Sequence, residues 1–179
     1  QAPSSFVRTN IGGTLNVLQC AREQGVARLI HTSTSEVYGT ARYVPIDEAH
    51  PLTAQSPYAA SKVGADKLAE AFALSYQLPV VTVRPFNTYG PRQSARAIIP
   101  TIVIQALTDD VVRLGHLAPI RDFTYVADTV EGFIKAAEAP AAVGRTLNLG
   151  TGRGVGIGQL VTLIGEQVAT PLTVEQDGQ

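Results

Sequence analysis

The sequence contains no methionine and a single cysteine, Cys20. One cysteine cannot form a disulfide within the chain, and its position in an apolar helical pattern predicts a small core residue. This use of cysteine fits a reducing cytoplasm. The chain also begins within a pattern, at Gln1-Ala2-Pro3, without an initiator methionine. We therefore expect a cytoplasmic protein and a fragment that lacks its natural N-terminus.

Long apolar runs, signal-peptide features and clusters of one charge are also missing. No stretch approaches the roughly 18 apolar residues that span a membrane. The formal net charge is −1, without long runs of lysine or arginine, which argues against nonspecific binding to nucleic acid or membranes. The histidines, His31, His50 and His116, show no metal-ligand spacing, so no metal site is predicted.

With 179 residues, of which 45% are hydrophobic and 16% charged, the chain is long enough for one substantial core. Apolar spacing predicts alternating helices and strands, which indicate an α/β fold with a parallel sheet and flanking helices. Helices are predicted at 6–24, 57–76, 98–107, 125–139 and 157–168, and strands at 26–31, 79–86, 111–114 and 146–149. Polar residues follow the first two strands, where parallel sheets bind ligands.

A tyrosine and a lysine lie four residues apart at the start of the second predicted helix. Ser56 suits the N-cap and Pro57 the first helical position, which places Tyr58 in the first turn and Lys62 one turn later on the same face. A nearby ammonium and the positive end of a helix both favour a phenolate. Such a tyrosine can take a proton from a sugar or alcohol hydroxyl, although the same spacing also occurs on ordinary amphipathic helices.

Three segments together resemble the extended short-chain dehydrogenase/reductases that act on nucleotide sugars. They are Thr34-Ser35-Glu36-Val37-Tyr38-Gly39, the pair of Tyr58 and Lys62, and Arg84-Pro85-Phe86-Asn87-Thr88-Tyr89-Gly90-Pro91. Asn10-Ile11-Gly12-Gly13-Thr14 and Arg121-Asp122-Phe123-Thr124-Tyr125-Val126-Ala127-Asp128 match in type and order, so the resemblance spans nearly the whole chain. Within the family, the sequence is most similar to sugar-nucleotide 4,6-dehydratases of the GDP-mannose type and of the UDP- or GDP-N-acetylglucosamine type. This implies a Rossmann-like sheet, NAD as cofactor and a nucleotide-sugar substrate.

The glycine-rich turn that grips the cofactor pyrophosphate in this family is absent. The cluster Gly150-Thr151-Gly152-Arg153-Gly154 lacks the strand and helix context of such a turn. We therefore expect an N-terminally truncated Rossmann domain, with on the order of 80 to 100 residues missing. Residues 1–90 would form the C-terminal half of the NAD-binding domain with the catalytic residues. Residues 91–179 would form mainly a small substrate-binding part, with 121–150 returning to the sheet.

The resemblance implies a set of catalytic residues. Tyr58 would remove the proton of the sugar 4-hydroxyl as hydride passes to NAD, Thr34 would hydrogen-bond that hydroxyl, and Lys62 would hold the nicotinamide ribose. Glu36 would then remove the C5 proton, which the 4-keto group makes acidic, before water leaves and hydride returns at C6. Ser35 stands where dTDP-glucose-type enzymes have an aspartate acid, so Glu36 would serve first as base and then as acid. The plain alternative for Glu36 is a solvated loop carboxylate.

Binding residues follow from the same resemblance. The cofactor would be bound by Thr32, Ser33, Tyr58 and Lys62, and the substrate by Ser35, Asn87, Ile99, Pro100 and Arg121. Asn87 and Arg121 would hold the substrate diphosphate, a role that suits the guanidinium fork. Ile99 and Pro100 would line the base pocket or simply begin a core helix.

Other polar residues are given weaker roles. Arg92 and Arg96 could assist phosphate binding or lie on the surface, while Asn10 and Asp128 are predicted to be structural and to tie helix to strand. The helices at 6–24 and 57–76 are predicted to pair with a second copy in a homodimer, unless one chain covers both faces.

Three alternatives to a dehydratase stay open. UDP-glucuronate decarboxylases share the Thr-Ser-Glu and Asn-Thr-Tyr-Gly-Pro segments, but usually carry more acidic residues than Ala59-Ala60-Ser61 between the tyrosine and lysine. Nucleotide-sugar epimerases of the same family usually lack a carboxylate at the position of Glu36. The chain by itself could also be an inactive fragment or a noncatalytic binding module, because cofactor affinity depends on the missing glycine-rich turn.

Overall fold

The computed structural model describes residues 2–168 and 172–176. Its helices are α1 (Pro3–Phe6), α2 (Gly13–Glu23), α3 (Pro57–Tyr76), α4 (Ile98–Ala106), α5 (Val126–Glu138) and α6 (Ile157–Val168). A π-helical turn spans Val7–Gly12, and 3-10 helices span Ser35–Tyr38 and Pro140–Ala142. The strands are β1 (Leu29–Thr32), β2 (Val80–Pro85), β3 (Asn87–Tyr89), β4 (Val111–Leu114), β5 (Ile120–Tyr125), β6 (Thr146–Leu149), β7 (Gly154–Gly156) and β8 (Thr173–Gln176).

These elements divide into two compact units. Unit 1 comprises residues 1–86 and 127–149, and unit 2 comprises residues 87–126 and 150–179. Each predicted helix and strand is present within a few residues of its expected bounds, and the predicted α/β class with parallel strands and flanking helices is confirmed. The assignment of separate regions to cofactor and substrate binding stays a prediction.

In unit 1, β1, β2 and β6 form a parallel sheet in the order β1-β2-β6. The central strand β2 buries alternate side chains on opposite faces, as expected for a strand covered on both sides. Val80 packs with Leu18 of α2 and Ala69 of α3, whereas Val81 and Val83 pack with Ala136 of α5. Helices therefore cover both faces of this sheet.

Helix α3 follows its sequence signals closely. The Ser56 Oγ accepts a hydrogen bond of 3.0 Å from the backbone N–H of Ala59, and Pro57 occupies the first turn, as predicted. The helix ends at Gln77, whose left-handed φ of 55° terminates the helical hydrogen bonding. At Gly64 a Cβ atom would lie only 2.9 Å from Cδ1 of Ile11, so the glycine allows close approach of the preceding helix.

The first predicted helix contains two departures from expectation. Its middle is the π-helical turn, and Asn10 on that turn donates from Nδ2 to the Oγ of Ser61 in α3 at 2.9 Å. Asn10 thus ties helix to helix, and the predicted link to a strand was wrong. The prediction that Cys20 lies in the core was also wrong, because Leu18 and Ala21 form the buried face of α2 and Cys20 is exposed.

Unit 2 contains four short strands that the sequence pattern did not predict. They are β3, β5, β7 and β8. Strand β3 pairs with β5 in parallel and β8 pairs with β4 in parallel, but β7 is antiparallel to β5, so the expectation of parallel pairing is wrong there. Helices α4 and α6 pack with β4 around an apolar core of Ile102, Val112, Leu114, Ile157, Leu160 and Val161.

Across residues 2–168 and 172–176, no helix combines the length and apolar character needed to cross a membrane.

Candidate active site

A single 3-10 turn, Ser35–Tyr38, carries the predicted catalytic carboxylate. Thr34 caps this turn, its Oγ1 accepting a hydrogen bond of 3.2 Å from the backbone N–H of Glu36. Val37 and Tyr38 are fully buried, whereas Glu36 is exposed. The turn therefore anchors itself through two buried side chains and presents the carboxylate on its outer side.

Tyr58 and Lys62 lie on the helix that contacts this turn. The Tyr58 ring is 37% exposed and packs edge-on against Phe6, with ring centroids 5.7 Å apart. The Lys62 Nζ donates to the carbonyl oxygen of Thr32 at 2.5 Å, which joins helix α3 to the end of β1. Burial lowers the pKa of Lys62, and the nearby Asp66 partly offsets that effect.

A cavity of about 310 Å³ lies between β1 and the helices that precede it. Lys62 and Thr32 line it together with Asn10 and Thr14. The cavity thus holds two of the residues predicted to bind the cofactor, and its lining offers ammonium, hydroxyl and amide groups.

A buried carboxylate, that of Asp66, lies one helical turn after Lys62 on α3. Asp66 accepts hydrogen bonds from Ser33 Oγ at 2.8 Å, from His31 Nε2 at 3.0 Å, and from Arg84 Nε and Nη2 at 3.2 and 3.0 Å. Burial raises the pKa of Asp66, but the hydrogen bonds from His31 and Ser33 and the charge of Arg84 outweigh it and hold this pKa below its usual range. Ser33, predicted to bind the cofactor, directs its hydroxyl into this cluster.

The polar cluster continues from Arg84 to the turn of Glu36. The Arg84 Nη1 donates to the hydroxyl oxygen of Tyr38 at 3.0 Å, and that hydroxyl donates to Oδ1 of Asn148 at 2.7 Å. Asn148 in turn donates from Nδ2 to the Ile46 carbonyl and from its backbone N–H to Glu48. Burial raises the pKa of Tyr38 more than Arg84 lowers it, so this phenol stays protonated at neutral pH.

We call Ser33, His31, Asp66, Arg84, Tyr38 and Asn148 the polar layer, in which all side chains are buried except that of Asn148, which is half-buried. Sequence reasoning missed it as a site feature. Two signals were available: Asp66 stands between the buried Ala65 and Ala69 of α3, and Arg84 ends a run of β-branched residues. A charged side chain on an apolar face has to be paired when it is buried.

Loop residues next to the polar layer are held by His50, which is 2% exposed. Its Nε2 accepts from the backbone N–H of Arg42 at 3.0 Å, and its Nδ1 donates to the Pro51 carbonyl at 3.0 Å. The imidazole lies between the rings of Tyr38 and Tyr43, with centroids 5.4 and 4.7 Å away. Among the described residues, no group of three or more histidine, cysteine, aspartate or glutamate side chains could hold a metal ion.

Unit 2 carries the residues predicted to bind the substrate, apart from Ser35. Asn87 begins β3 and pairs in register with Phe123 of β5, and Arg121 lies on the same strand with its side chain exposed. Ile99 packs against the apolar core of unit 2, and Pro100 lies beside it in the first turn of α4. The binding roles of these residues stay predictions.

The glycine cluster near the C-terminus is a turn held by Asp122. One carboxylate oxygen accepts from the backbone N–H and hydroxyl of Thr151 at 2.9 and 2.7 Å, and the other accepts from the backbone N–H of Gly152 at 2.7 Å. Gly152 has a φ of 75°, which explains a glycine at this position. An aspartate side chain therefore occupies the donors that a phosphate would need.

A family model and individual known proteins both match this chain, and they are dehydratases and epimerases of nucleotide sugars. The family described as GDP-mannose 4,6 dehydratase matches residues 1–179. A dTDP-glucose 4,6-dehydratase of Streptomyces griseus is 38% identical over 162 residues, which are 90% of this chain and 49% of that protein. A UDP-glucose 4-epimerase of Mycolicibacterium smegmatis is 33% identical over 176 residues, covering 94% of this chain and 55% of that protein.

Solved structures give the same result. The dTDP-glucose 4,6-dehydratase of Bacillus anthracis, determined in complex with NAD, superposes with a TM-score of 0.88 at 31% identity. This match covers 97% of the present chain and 57% of that one. The chain spans about half the length of the curated relatives it matches.

Proposed function

The chain belongs to the GDP-mannose 4,6 dehydratase family, and from that premise we propose that it carries the catalytic part of an NAD-dependent nucleotide-sugar 4,6-dehydratase. The observation that supports this most is local to unit 1. Helix α3, which bears Tyr58 and Lys62, contacts the turn that presents Glu36, and Lys62 reaches the strand end just before Thr34. Tyr58, the proposed acceptor of a hydroxyl proton, and Glu36, the proposed acceptor of a proton from carbon, thus lie on two elements that contact each other.

The first stage is oxidation at C4 of the sugar. Tyr58 accepts the proton of the 4-hydroxyl, and the Thr34 hydroxyl hydrogen-bonds the same oxygen. Tyr58 lies in the first turn of α3, and Lys62 follows one turn later on the same helix. Lys62 and Thr32 would hold the nicotinamide ribose of NAD, and the bound cofactor would supply a reversible hydride acceptor for C4 and C6.

The second stage is loss of water across C5 and C6. The 4-keto group acidifies the C5 proton, so that a carboxylate can remove it. Glu36 takes this proton and then protonates the departing 6-hydroxyl, which leaves as water. When hydride is returned at C6, C5 takes up a proton from solvent, and this balances the proton that Tyr58 removed from the 4-hydroxyl and releases. Ser35, next to it, supplies no second acid, and one carboxylate therefore serves both transfers.

The residues around the cavity fit part of a dinucleotide. Lys62, Thr32, Asn10 and Thr14 offer donors and acceptors that suit ribose hydroxyls and an amide. We propose that Lys62 and Thr32 hold the nicotinamide ribose, with Tyr58 beside them and Ser33 supporting the strand end. Asn87 and Arg121 are proposed to bind the substrate diphosphate, and Ser35, Ile99 and Pro100 to contact the sugar or base.

A homodimer is proposed from the helical surface of unit 1. Val7, Val17 and Leu74 are apolar but 54%, 54% and 77% exposed on the helices at 3–23 and 57–76. Burying these side chains against a second copy would remove apolar area from water. Light scattering of the natural full-length protein should give twice the protomer mass, and a clean monomer at high concentration would contradict the proposal.

The decisive experiment is Glu36→Gln in the natural full-length protein. Single-turnover reactions with dTDP-glucose, GDP-mannose and UDP-glucose would follow NADH absorbance and the 4-keto-6-deoxy product separately. We expect NADH to form as in the wild type and product to fall by about 10²- to 10⁴-fold, the usual effect of losing a general acid–base group. Glu138→Gln, an exposed carboxamide replacement at the end of α5, is the matched control. Product formation at the wild-type rate in Glu36→Gln would remove Glu36 from the mechanism, and a wild-type protein that forms no 6-deoxy sugar from any of these probes would refute the dehydratase assignment.

A 4-epimerase is the second candidate, because of the similarity to the mycobacterial UDP-glucose 4-epimerase. An epimerase would invert C4 without releasing water and would tolerate Glu36→Gln. Product analysis of the same reactions separates the two, since only dehydration yields a 6-deoxy sugar.

A further inference from the structure

We propose that Tyr38 is a positioning residue for Glu36: its buried hydroxyl fixes the turn on which the carboxylate stands. The inference rests on the proposed function, in which Glu36 moves the C5 proton. It adds a residue that touches neither sugar nor cofactor but controls the second chemical stage.

Tyr38 and Glu36 share one 3-10 turn. The two residues are two positions apart, so their side chains leave the turn in different directions, Glu36 outward and Tyr38 into the core. Glu36 is exposed and is not held by burial of its own side chain. The position from which its carboxylate projects is therefore set by the backbone of the turn. That backbone is capped on one side by Thr34 and continues on the other into the fully buried Tyr38.

The Tyr38 hydroxyl is fixed from two sides. It accepts from Arg84 of β2 at 3.0 Å and donates to Asn148 of β6 at 2.7 Å. Both geometries are those of well-formed hydrogen bonds. The hydroxyl thus connects the turn to two adjacent strands of the parallel sheet, which are themselves paired in register.

The same connection reaches the helix of Tyr58 and Lys62. Arg84 is held by Asp66, which lies one helical turn after Lys62 on α3. The buried ion pair of Asp66 and Arg84 therefore connects the turn of Glu36 to the helix of Lys62. An error of about 1 Å in a catalytic group can lower a rate by about 100-fold, so such a reference has a direct chemical consequence.

Apolar burial also holds the turn. Val37 is fully buried, and its carbonyl accepts from the backbone N–H of Thr53 at 3.0 Å. If these contacts alone set the turn, the phenol ring would matter and its hydroxyl would not. Tyr38→Phe keeps the ring and removes only the hydroxyl, so it separates the two explanations.

The test is a single-turnover comparison of wild type and Tyr38→Phe in the natural full-length protein, with dTDP-glucose, GDP-mannose and UDP-glucose as probes. We expect bound NADH to form at the wild-type rate, while product formation falls by about 10- to 100-fold. NADH should therefore accumulate transiently. Hydrogen exchange without ligand should be faster at the amides of Glu36–Gly39, which reports the loosened turn independently of activity.

Two further variants serve as a control and as an independent test of the role of the Tyr38 hydroxyl. Tyr43→Phe removes another phenolic hydrogen bond of 2.7 Å, to Asp47, near the same His50 ring, and should leave both stages unchanged. Asn148→Ala removes the acceptor of the Tyr38 hydroxyl and should reproduce the delay in product formation even if Tyr38→Phe folds poorly.

The outcomes distinguish failure of the positioning role of Tyr38 from failure of the proposed dehydratase function. Equal loss of both stages in Tyr38→Phe and Asn148→Ala, or no loss in either, overturns the positioning role while the dehydratase function stands. A wild-type protein that forms neither NADH nor 4-keto-6-deoxy product with these probes overturns both.

Discussion

The two units differ in the buried side chains near their candidate sites, which are a catalytic region in unit 1 and a phosphate-binding region in unit 2. Unit 1 contains the polar layer, in which Asp66 and Arg84 are 4% and 6% exposed. Unit 2 instead has an apolar core, and its predicted phosphate ligand Arg121 is exposed on β5. In unit 2 the carboxylate of Asp122 accepts hydrogen bonds that hold a surface turn.

This difference matches the demands of the two proposed tasks. Proton transfer requires groups held within a fraction of an ångström, which a fully hydrogen-bonded buried network can provide. A diphosphate can be held by a long guanidinium side chain from solvent, since its charge acts over a wider range of geometries. The comparison predicts that buried changes in unit 1 affect chemistry and folding together, whereas changes in unit 2 have smaller and separable effects.

The largest effect is expected for Tyr58→Phe, which removes the proposed proton acceptor of unit 1. Because this group acts in the first stage, NADH formation itself should fall by about 10²- to 10⁴-fold. Stopped-flow absorbance on the natural full-length protein measures this rate. Tyr76→Phe, at the other end of the same helix and 48% exposed, is the matched control and should leave the rate unchanged. Normal NADH formation in Tyr58→Phe would remove the phenol from the mechanism.

Next in size is the loss of folding stability in Asp66→Asn. The substitution leaves the Arg84 guanidinium buried without its counter-charge, and breaking such a pair costs about 3–5 kcal/mol. The free energy of unfolding from urea titration measures this loss. For comparison, Asp109→Asn breaks the exposed pair with Arg113 of unit 2, 3.5 Å long, and should cost about 1 kcal/mol or less. Similar losses at both positions would contradict the contrast between the units.

Acid should reduce the difference between wild type and Asp66→Asn. The pKa of Asp66 is depressed in the folded state, so its contribution is complete above the unfolded value of about 3.9 and is lost as the pH falls below that toward the folded pKa. The two proteins should therefore converge in unfolding free energy below about pH 4. Urea titrations between neutral pH and pH 3 test this. A difference that grows on acidification would mean that Asp66 is protonated in the native protein.

Local signals predicted the backbone of this chain better than its polar contacts. Helix α3 has a capping serine, a proline in its first turn and a long apolar period, and the structure reproduces both of its predicted ends. Strand β7 contains two glycines in three residues and β3 lies in a turn-rich segment, so neither carries a strand pattern. Short strands of this kind are stabilised by their partners rather than by their own residues.

The sequence signals at Asp66 and Arg84 did not reveal which residues pair in the polar layer, because these partners are distant in sequence. Asp66 pairs with Arg84 18 positions away and with His31 35 positions away, and Tyr38 reaches Asn148 across 110 positions. A single sequence shows that a charge lies on an apolar face, but not which residue neutralises it. The candidate catalytic pair was predictable for the opposite reason, since Tyr58 and Lys62 lie one turn apart on the same helix.

An effect smaller than that at Asp66 is expected at Asp122 in unit 2. Asp122→Ala removes three hydrogen bonds from Thr151 and Gly152 in an exposed turn, and the groups that lose them can bond to water instead. We expect a loss of about 1–2 kcal/mol in unfolding free energy, less than at Asp66. Amide exchange should rise at 151–154 and not in the Ser35–Tyr38 turn.

Thr151→Val refines that last comparison. It removes only the hydroxyl that donates to Asp122 at 2.7 Å and keeps both backbone donors, so its cost should be smaller than that of Asp122→Ala. Neither variant should change the rate of NADH formation in the natural full-length protein, because the groups proposed for C4 oxidation all lie in unit 1. A fall in that rate as large as the one caused by Tyr58→Phe would show that the turn of Asp122 supports the first chemical stage, and the separation of tasks between the two units would be wrong.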